Sequence, residues 1–386
     1  MQTFHSLESL RAYMAWWVVI GHGLYLFGVV TGADFNSIFN LTGPFATLSE
    51  NVVTILLQGG SAVKVFIILS GFVICHLITV KQENFKFYIL RRYFRLAPTL
   101  LVCIAIAMAV EPLYVLSYVD LGFINDSTMR IARLSEQSAN FWLHLLSHIG
   151  LVHSIIPQEI LPYAPGTFLA PAWSIGLEWQ FYLLAPFLVA YIGKAQKNMF
   201  IIAILFLVIT LVIWRQPFLE WKHGSFFFQV PLYFLVGILS RISLTKMQEK
   251  KMPVDILLLI SFLSLIQSTL SSLIWLLFFG ITCYEAGFIK IESKITLKVL
   301  NIFVFSRFIK SLGRCSYSTY LVHIPVFSLL VGGYTYLVGV NNVSQFDVVI
   351  ILLFSVPVIF FLSSFLFRYV EMPPMKFIKS YIKSRS

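Results

Sequence analysis

Apolar runs of about 20 residues, the length that crosses a bilayer, recur along the whole chain with short polar and basic stretches between them. The pattern predicts an all-α polytopic membrane protein of about ten transmembrane helices. They fall near residues 10–30, 61–80, 96–118, 173–192, 199–214, 226–240, 253–268, 271–287, 316–339 and 346–367. No stretch long enough for a soluble domain is left over, so 1–386 reads as a single membrane domain with a long loop at 119–172 and a short basic tail at 369–386. Within that loop, 141–156 is apolar enough to be weighed as a further span. Letting it cross would invert everything after it, so it is read as a helix lying in or dipping into the outer membrane face. Pro157, Pro162, Pro165 and Pro171 interrupt regular structure in the rest of the loop.

Composition agrees with this pattern. The 386 residues are 58% hydrophobic and 12% charged, whereas soluble domains carry about a quarter charged residues. The net charge of +11 raises the question of nucleic acid, and its placement answers it. With ten spans both termini lie on one side, which receives 23 of the 28 Lys and Arg residues; the opposite side receives four, and Lys64 sits in a span. The positive-inside rule makes the crowded side, and both termini, cytoplasmic. The basic excess is therefore a topology signal, and no nucleic-acid partner is expected. Arg11 is the only basic residue ahead of the first apolar core and no small-residue cleavage site follows, so the first helix is read as a permanent span. Cys75, Cys103, Cys283 and Cys315 lie in or beside apolar stretches without paired spacing and read as buried small residues.

Polar groups inside the spans carry the candidate chemistry, because ionisable residues at that depth usually line a cavity or a site. His22 lies deep in the first span. The second contains Ser70 and Gly71, small enough to let a neighbouring helix approach closely. The loop after it reads Phe87-Tyr88-Ile89-Leu90-Arg91-Arg92-Tyr93-Phe94-Arg95-Leu96-Ala97-Pro98. On a helix Arg92 and Arg95 share a face and Arg91 is four residues from Arg95; planar guanidinium groups so placed suit a polyphosphate. The plainer reading is a basic anchor at the membrane edge.

The fourth span opens Pro171-Ala172-Trp173-Ser174-Ile175-Gly176-Leu177-Glu178-Trp179-Gln180-Phe181-Tyr182. A carboxylate there is costly unless paired, hydrated or protonated, so Glu178 is a candidate to orient an imidazole, to act as acid or base, or to satisfy a structural hydrogen bond. The ninth span, with Ser316, Tyr317, Ser318, Thr319, Tyr320 and a second buried imidazole, His323, is polar in its first half, as a cavity-lining helix is. His144, His148 and His153 fall in the outer loop. The first two have a spacing that can bind metal on a helix, but two imidazoles fall short of a usual zinc shell. They read as solvated or interfacial, and no metal is expected.

In this order the motifs resemble the acyltransferase 3 family of integral membrane acyltransferases. The matching pieces are Leu7-Glu8-Ser9-Leu10-Arg11-Ala12 through His22, Phe66 to Phe72, Phe87 to Pro98, Trp173 to Tyr182, Leu312-Gly313-Arg314 through His323, and Tyr369-Val370-Glu371-Met372-Pro373. The chain departs from the common pattern at Glu8-Ser9, where members have Asp-Gly, and at Trp179, where they have a second Glu. The resemblance implies a ten-helix domain, without a C-terminal esterase-like domain, that moves an acyl group from cytoplasmic acyl-CoA to a hydroxyl. Acetyl-CoA is the first guess, as a donor substrate and not a permanently bound cofactor. The implied acceptors are a saccharide, a lipid-linked saccharide or another hydroxyl compound. His22 and Glu178 match the catalytic positions and Arg92 and Arg95, with Arg91, those that grip CoA. Ser70, Trp173, Ser174, Tyr182, Ser316, Tyr317, His323 and Glu371 are assigned supporting roles. In this reading His22 is the general base and Glu178 holds its tautomer or stabilises the imidazolium. The expected partners are acyl-CoA, the acceptor and membrane lipid, a homo-oligomer is compatible with the chain, and a bacterial cytoplasmic (inner) membrane is implied. The alternative from another class is a transporter or exporter of a small metabolite or envelope polymer, because polar residues in a helical bundle also mark translocation paths.

Overall fold

The computed structural model describes residues 4–81, 83–124, 127–215 and 219–384, apart from the side chain of residue 196. Among them every regular element is a helix. Seven helices frame the site: α1 (His5–Leu26), α2 (Gly59–Val80), α3 (Phe85–Ala109), α4 (Ala172–Lys194), α5 (Pro231–Gln248), α6 (Ser316–Val338) and α7 (Gln345–Lys383). Six described helices are long and apolar enough to cross a membrane: Gly59–Val80, Phe85–Ala109, Ala172–Lys194, Lys197–Trp214, Ser316–Val338 and Gln345–Lys383. The other expected spans are helical but differ in length or polarity. α1 has 22 residues and carries Glu8 and Arg11 in its first turns, whereas Val254–Leu265 has 12 residues and Thr269–Glu285 has 17. Twelve residues rise about 18 Å, well under a hydrocarbon core of about 30 Å. The stretch between the first two expected spans is itself helical, at Gly32–Ile38 and Gly43–Leu57.

One close helix crossing joins α2 and α5. A Cβ on Gly237 would stand 1.9 Å from the carbonyl oxygen of Ile68, and one on Gly71 would stand 2.2 Å from that of Phe234. Backbone touches backbone, so only glycine fits at either position. The expectation that Gly71 permits close approach is met. The N-terminal end of α1 is tied down by Glu285, which accepts from the backbone N–H of His5 (2.7 Å) and Ser6 (3.0 Å). All four cysteines are free and buried.

One reading of the polar segments is corrected. The helix within 141–156 runs Phe141–Ile149, nine residues or about 13 Å, too short to span. Trp142, Leu143 and Leu146 are exposed on its outer side while His144 and His148 are fully buried, so the loop histidines are not solvated. In an apolar solvent the greasy face turns outward and the imidazoles turn in. The rings of His148 and His153 stack at 4.0 Å and 3°. His153 Nε2 donates to the carbonyl of Ala172 (2.9 Å) and Ser154 Oγ to that of Trp173 (2.7 Å), which clamps the first turn of α4. Burial pushes His148 well below the ordinary histidine range and His153 down to about 4. The basic segment that follows the last expected span is helical over most of its described length. A helix continues over Met372–Lys383 against α3, with Ile378 and Ile382 buried.

Candidate active site

His22 and His323 meet across α1 and α6. His22 Nδ1 lies 2.7 Å from His323 Nε2, with the rings 14° from parallel. The other nitrogen of His323, Nδ1, lies 3.3 Å from the carbonyl oxygen of Thr319 one turn earlier. A carbonyl only accepts, so Nδ1 of His323 carries its proton. In the neutral pair Nε2 of His323 is then an acceptor, and Nδ1–H of His22 donates to it. The consequence is a defined tautomer for His22, with a lone pair at Nε2. His22 lines a cavity of about 360 Å³ bounded also by Tyr25, Arg133, Tyr163, Trp173 and His223. Glu178, expected to orient this imidazole, does not. His323 holds that position.

Glu178 belongs to a second cavity of about 120 Å³, lined by Arg11, Ser70, Arg92, Arg95, Tyr182 and Tyr317 among others. Its Oε1 accepts from Ser70 Oγ (3.2 Å) and from the Tyr182 hydroxyl one turn along α4. Ser316 and Ser174 complete the wall. The structure separates the three arginines that sequence spacing grouped. Arg92 lies 5.7 Å over the Tyr182 ring and faces the cavity. Arg95 pairs with buried Glu371, which also accepts from Ser318 Oγ (3.0 Å). Arg91 pairs with Glu83 (2.9 Å) and is not a lining residue. Tyr317 donates to the Leu96 carbonyl (2.7 Å), locking α6 to α3 beside Arg95.

Val63 and Tyr320 line both cavities. The hydroxyls of Tyr320 and Ser174 are 2.9 Å apart, and Phe66 packs edge-on against the Tyr320 ring. A thin partition of two side chains thus stands between the arginines and His22. Sequence reasoning singled out neither Arg11 nor Tyr320 as a site residue. A signal for Arg11 existed: eleven residues are about three helical turns, so Arg11 and His22 share one face of α1, about 16 Å apart along the axis.

The order of these residues along the chain carries a family signature. Residues 4–368 match the family profile described as an acyltransferase domain. The chain belongs to the acyltransferase 3 family. Among curated proteins and among solved structures nothing matches. Membership in the acyltransferase 3 family supports acyl transfer to a hydroxyl acceptor, and with the apolar helices it supports an integral membrane protein. The profile spans both cavities and their partition, and it ends just before Glu371.

Proposed function

We propose that the protein transfers an acyl group, acetyl as the first choice, from cytoplasmic acyl-CoA to a hydroxyl of a saccharide or envelope glycan, with His22 as general base. Residues 1–386 act as one domain of ten spans in a bacterial inner membrane, both termini cytoplasmic, with the arginine cavity opening to the cytoplasm. Arg92 and Arg11 meet the CoA phosphates, and Arg95, held by Glu371, shapes that mouth. The pantetheine arm carries the thioester to the partition at Val63 and Tyr320. The acceptor enters the histidine cavity.

Nε2 of His22 takes the hydroxyl proton as the oxygen attacks the thioester carbon. A C–O bond forms, the C–S bond breaks, and CoA leaves as thiolate, to which the proton is finally returned through the imidazolium or water. His323 accepts from Nδ1–H throughout and stabilises the imidazolium. Base catalysis of this kind contributes on the order of 10²–10⁴-fold. Glu178 acts on the donor side, holding Tyr182 and Ser70 along the wall that the thioester passes.

The observation that carries this reading is the His22–His323 contact, whose bonding leaves one nitrogen of the cavity-lining ring with a free lone pair. The test is CoA release from labelled acetyl-CoA by purified protein given an envelope glycan extract, for wild type and His22→Ala. Label moving to the extract, and lost in the variant, is the expected result. No release and no acetyl-CoA binding by wild type would overturn the reading in favour of a transporter.

A further inference from the structure

The histidine cavity holds more positive charge than a neutral alcohol calls for. The cations that line it are Arg133 and Lys222, beside the imidazoles of His22 and His223, and no aspartate or glutamate lines it among the described residues. In the proposed topology only Arg130, Arg133, Arg215 and Lys222 lie on the outer side, and two of these four face this one cavity. Basic residues gathered at a cavity on the side that the positive-inside bias depletes point to a ligand.

The individual groups are disposed for it. Arg133 Nη2 bonds the neutral Tyr114 hydroxyl (2.5 Å), and no carboxylate pairs with it among the described residues. Its guanidinium therefore keeps charge and donors for a planar oxyanion. Lys222 pairs with Glu220 and is 43% exposed. His223 sits in the left-handed region, at φ 61°, with its ring 6.4 Å from that of Trp173. A non-glycine residue held there is strained, and such residues cluster at ligand clamps. Burial first, and then the charges of Arg133 and Lys222, lower the His223 pKa. Trp173, Tyr163 and Tyr25 supply the broad aromatic walls against which a ring compound packs.

We propose that the acceptor is an anionic glycan, one with a carboxylate or phosphate close to the acylated hydroxyl. Arg133 and Lys222 hold the oxyanion while Trp173 packs on the sugar ring. The identification of this ligand as the acceptor rests on the acyl-transfer reading above.

The full-length protein in nanodiscs is titrated with three probes: an oligoglucuronate, the same oligosaccharide with its carboxyls reduced to alcohols, and a prenyl-phosphate-linked glucose. Binding and transfer from labelled acetyl-CoA are read in parallel. At least one anionic probe is expected to bind about tenfold or more tightly than the reduced one, with the advantage shrinking as salt rises. Which anionic probe wins distinguishes a carboxylate from a lipid-linked phosphate. Arg133→Gln should abolish the preference and Arg133→Lys should retain part of it; Lys222→Gln serves if the arginine variant does not fold. Equal binding of charged and reduced probes, or binding of none, overturns the proposal. An anionic preference without transfer supports the anion site and overturns acyl transfer.

Discussion

The two cavities are built from neighbouring turns of the same helices, yet only one of them has a carboxylate among its described lining residues. In the arginine cavity two of the four ionic lining groups have a side-chain partner, Arg95 in Glu371 and Glu178 in Tyr182 and Ser70, and Arg11 and Arg92 share that space with the Glu178 carboxylate. The histidine cavity is the larger and carries cations and aromatic rings without a carboxylate among its described lining residues. Trp173 lines the one and Ser174 and Glu178 line the other, within two turns of α4. Rise along the axis, about 1.5 Å per residue, decides which cavity a side chain sees. In the proposed reaction one cavity meets the donor and the other the acceptor, and this spacing along α4 keeps the two sets of binding groups apart.

The sharpest way to break this division is His22→Ala. It should lower kcat by about 10²–10⁴-fold while acetyl-CoA affinity, measured by titration, stays within about twofold, since the donor contacts lie beyond the partition. Loss of CoA binding would merge the two cavities functionally. A change confined to the other side is Glu371→Ala, which strands the Arg95 guanidinium. Breaking a buried pair costs about 3–5 kcal/mol; Arg95 keeps 26% exposure, so about 2–3 kcal/mol is expected in detergent unfolding. Restoration by Arg95→Met in the same chain would confirm the cause.

Acid should loosen the histidine side selectively. His153 has a folded pKa of about 4 against 6.5 unfolded, so between those values the unfolded form of the histidine-bearing loop segment binds more protons than the folded one. Its stability is full above about pH 6.5 and falls as the pH drops to about 4, by about 3 kcal/mol for this residue. Glu136, 3.9 Å from His144, is the carboxylate recorded beside the cluster. Hydrogen exchange in 144–154 should rise between pH 7 and 4.5; unchanged protection would show that the stack stays closed when protonated.

Smaller effects separate the supporting residues. His323→Phe removes the group that sets the His22 tautomer and should lower kcat by roughly 10–100-fold, as loss of a histidine's orienting partner does in metal sites. Arg92→Ala should raise the CoA KM about tenfold or more with kcat kept. Arg91→Ala should change KM less than about fivefold, because Arg91 lies outside the cavity lining and a partly exposed pair such as Arg91–Glu83 is worth at most about 1 kcal/mol. Equal effects of the two arginines would restore the grouping that spacing alone suggests.

Much of the site was legible because membrane burial makes polar residues conspicuous. His22, Glu178, Arg92 and His323 stand out against apolar neighbours. What spacing could not reveal was partnership. Glu178 and His22 look like natural partners in the chain, but α6 delivers His323 to one and α2 delivers Ser70 to the other. The loop histidines were misjudged for a related reason. Hydropathy reports that a segment meets lipid, not which of its faces does, and in Phe141–Ile149 the apolar face points out.

Apolar periodicity, the basic bias and the ordered motifs determined by themselves that this is a helical membrane protein of the acyltransferase 3 family. Those are properties of composition and local pattern, and each is additive along the chain. Tertiary structure alone decided that there are two cavities, that Tyr320 and Val63 part them, and that His323 rather than Glu178 sets the imidazole. These depend on where helices cross. The α2–α5 crossing is set by Gly71 and Gly237, whose partners lie more than 150 residues away in sequence, at distances over which a local pattern holds no information.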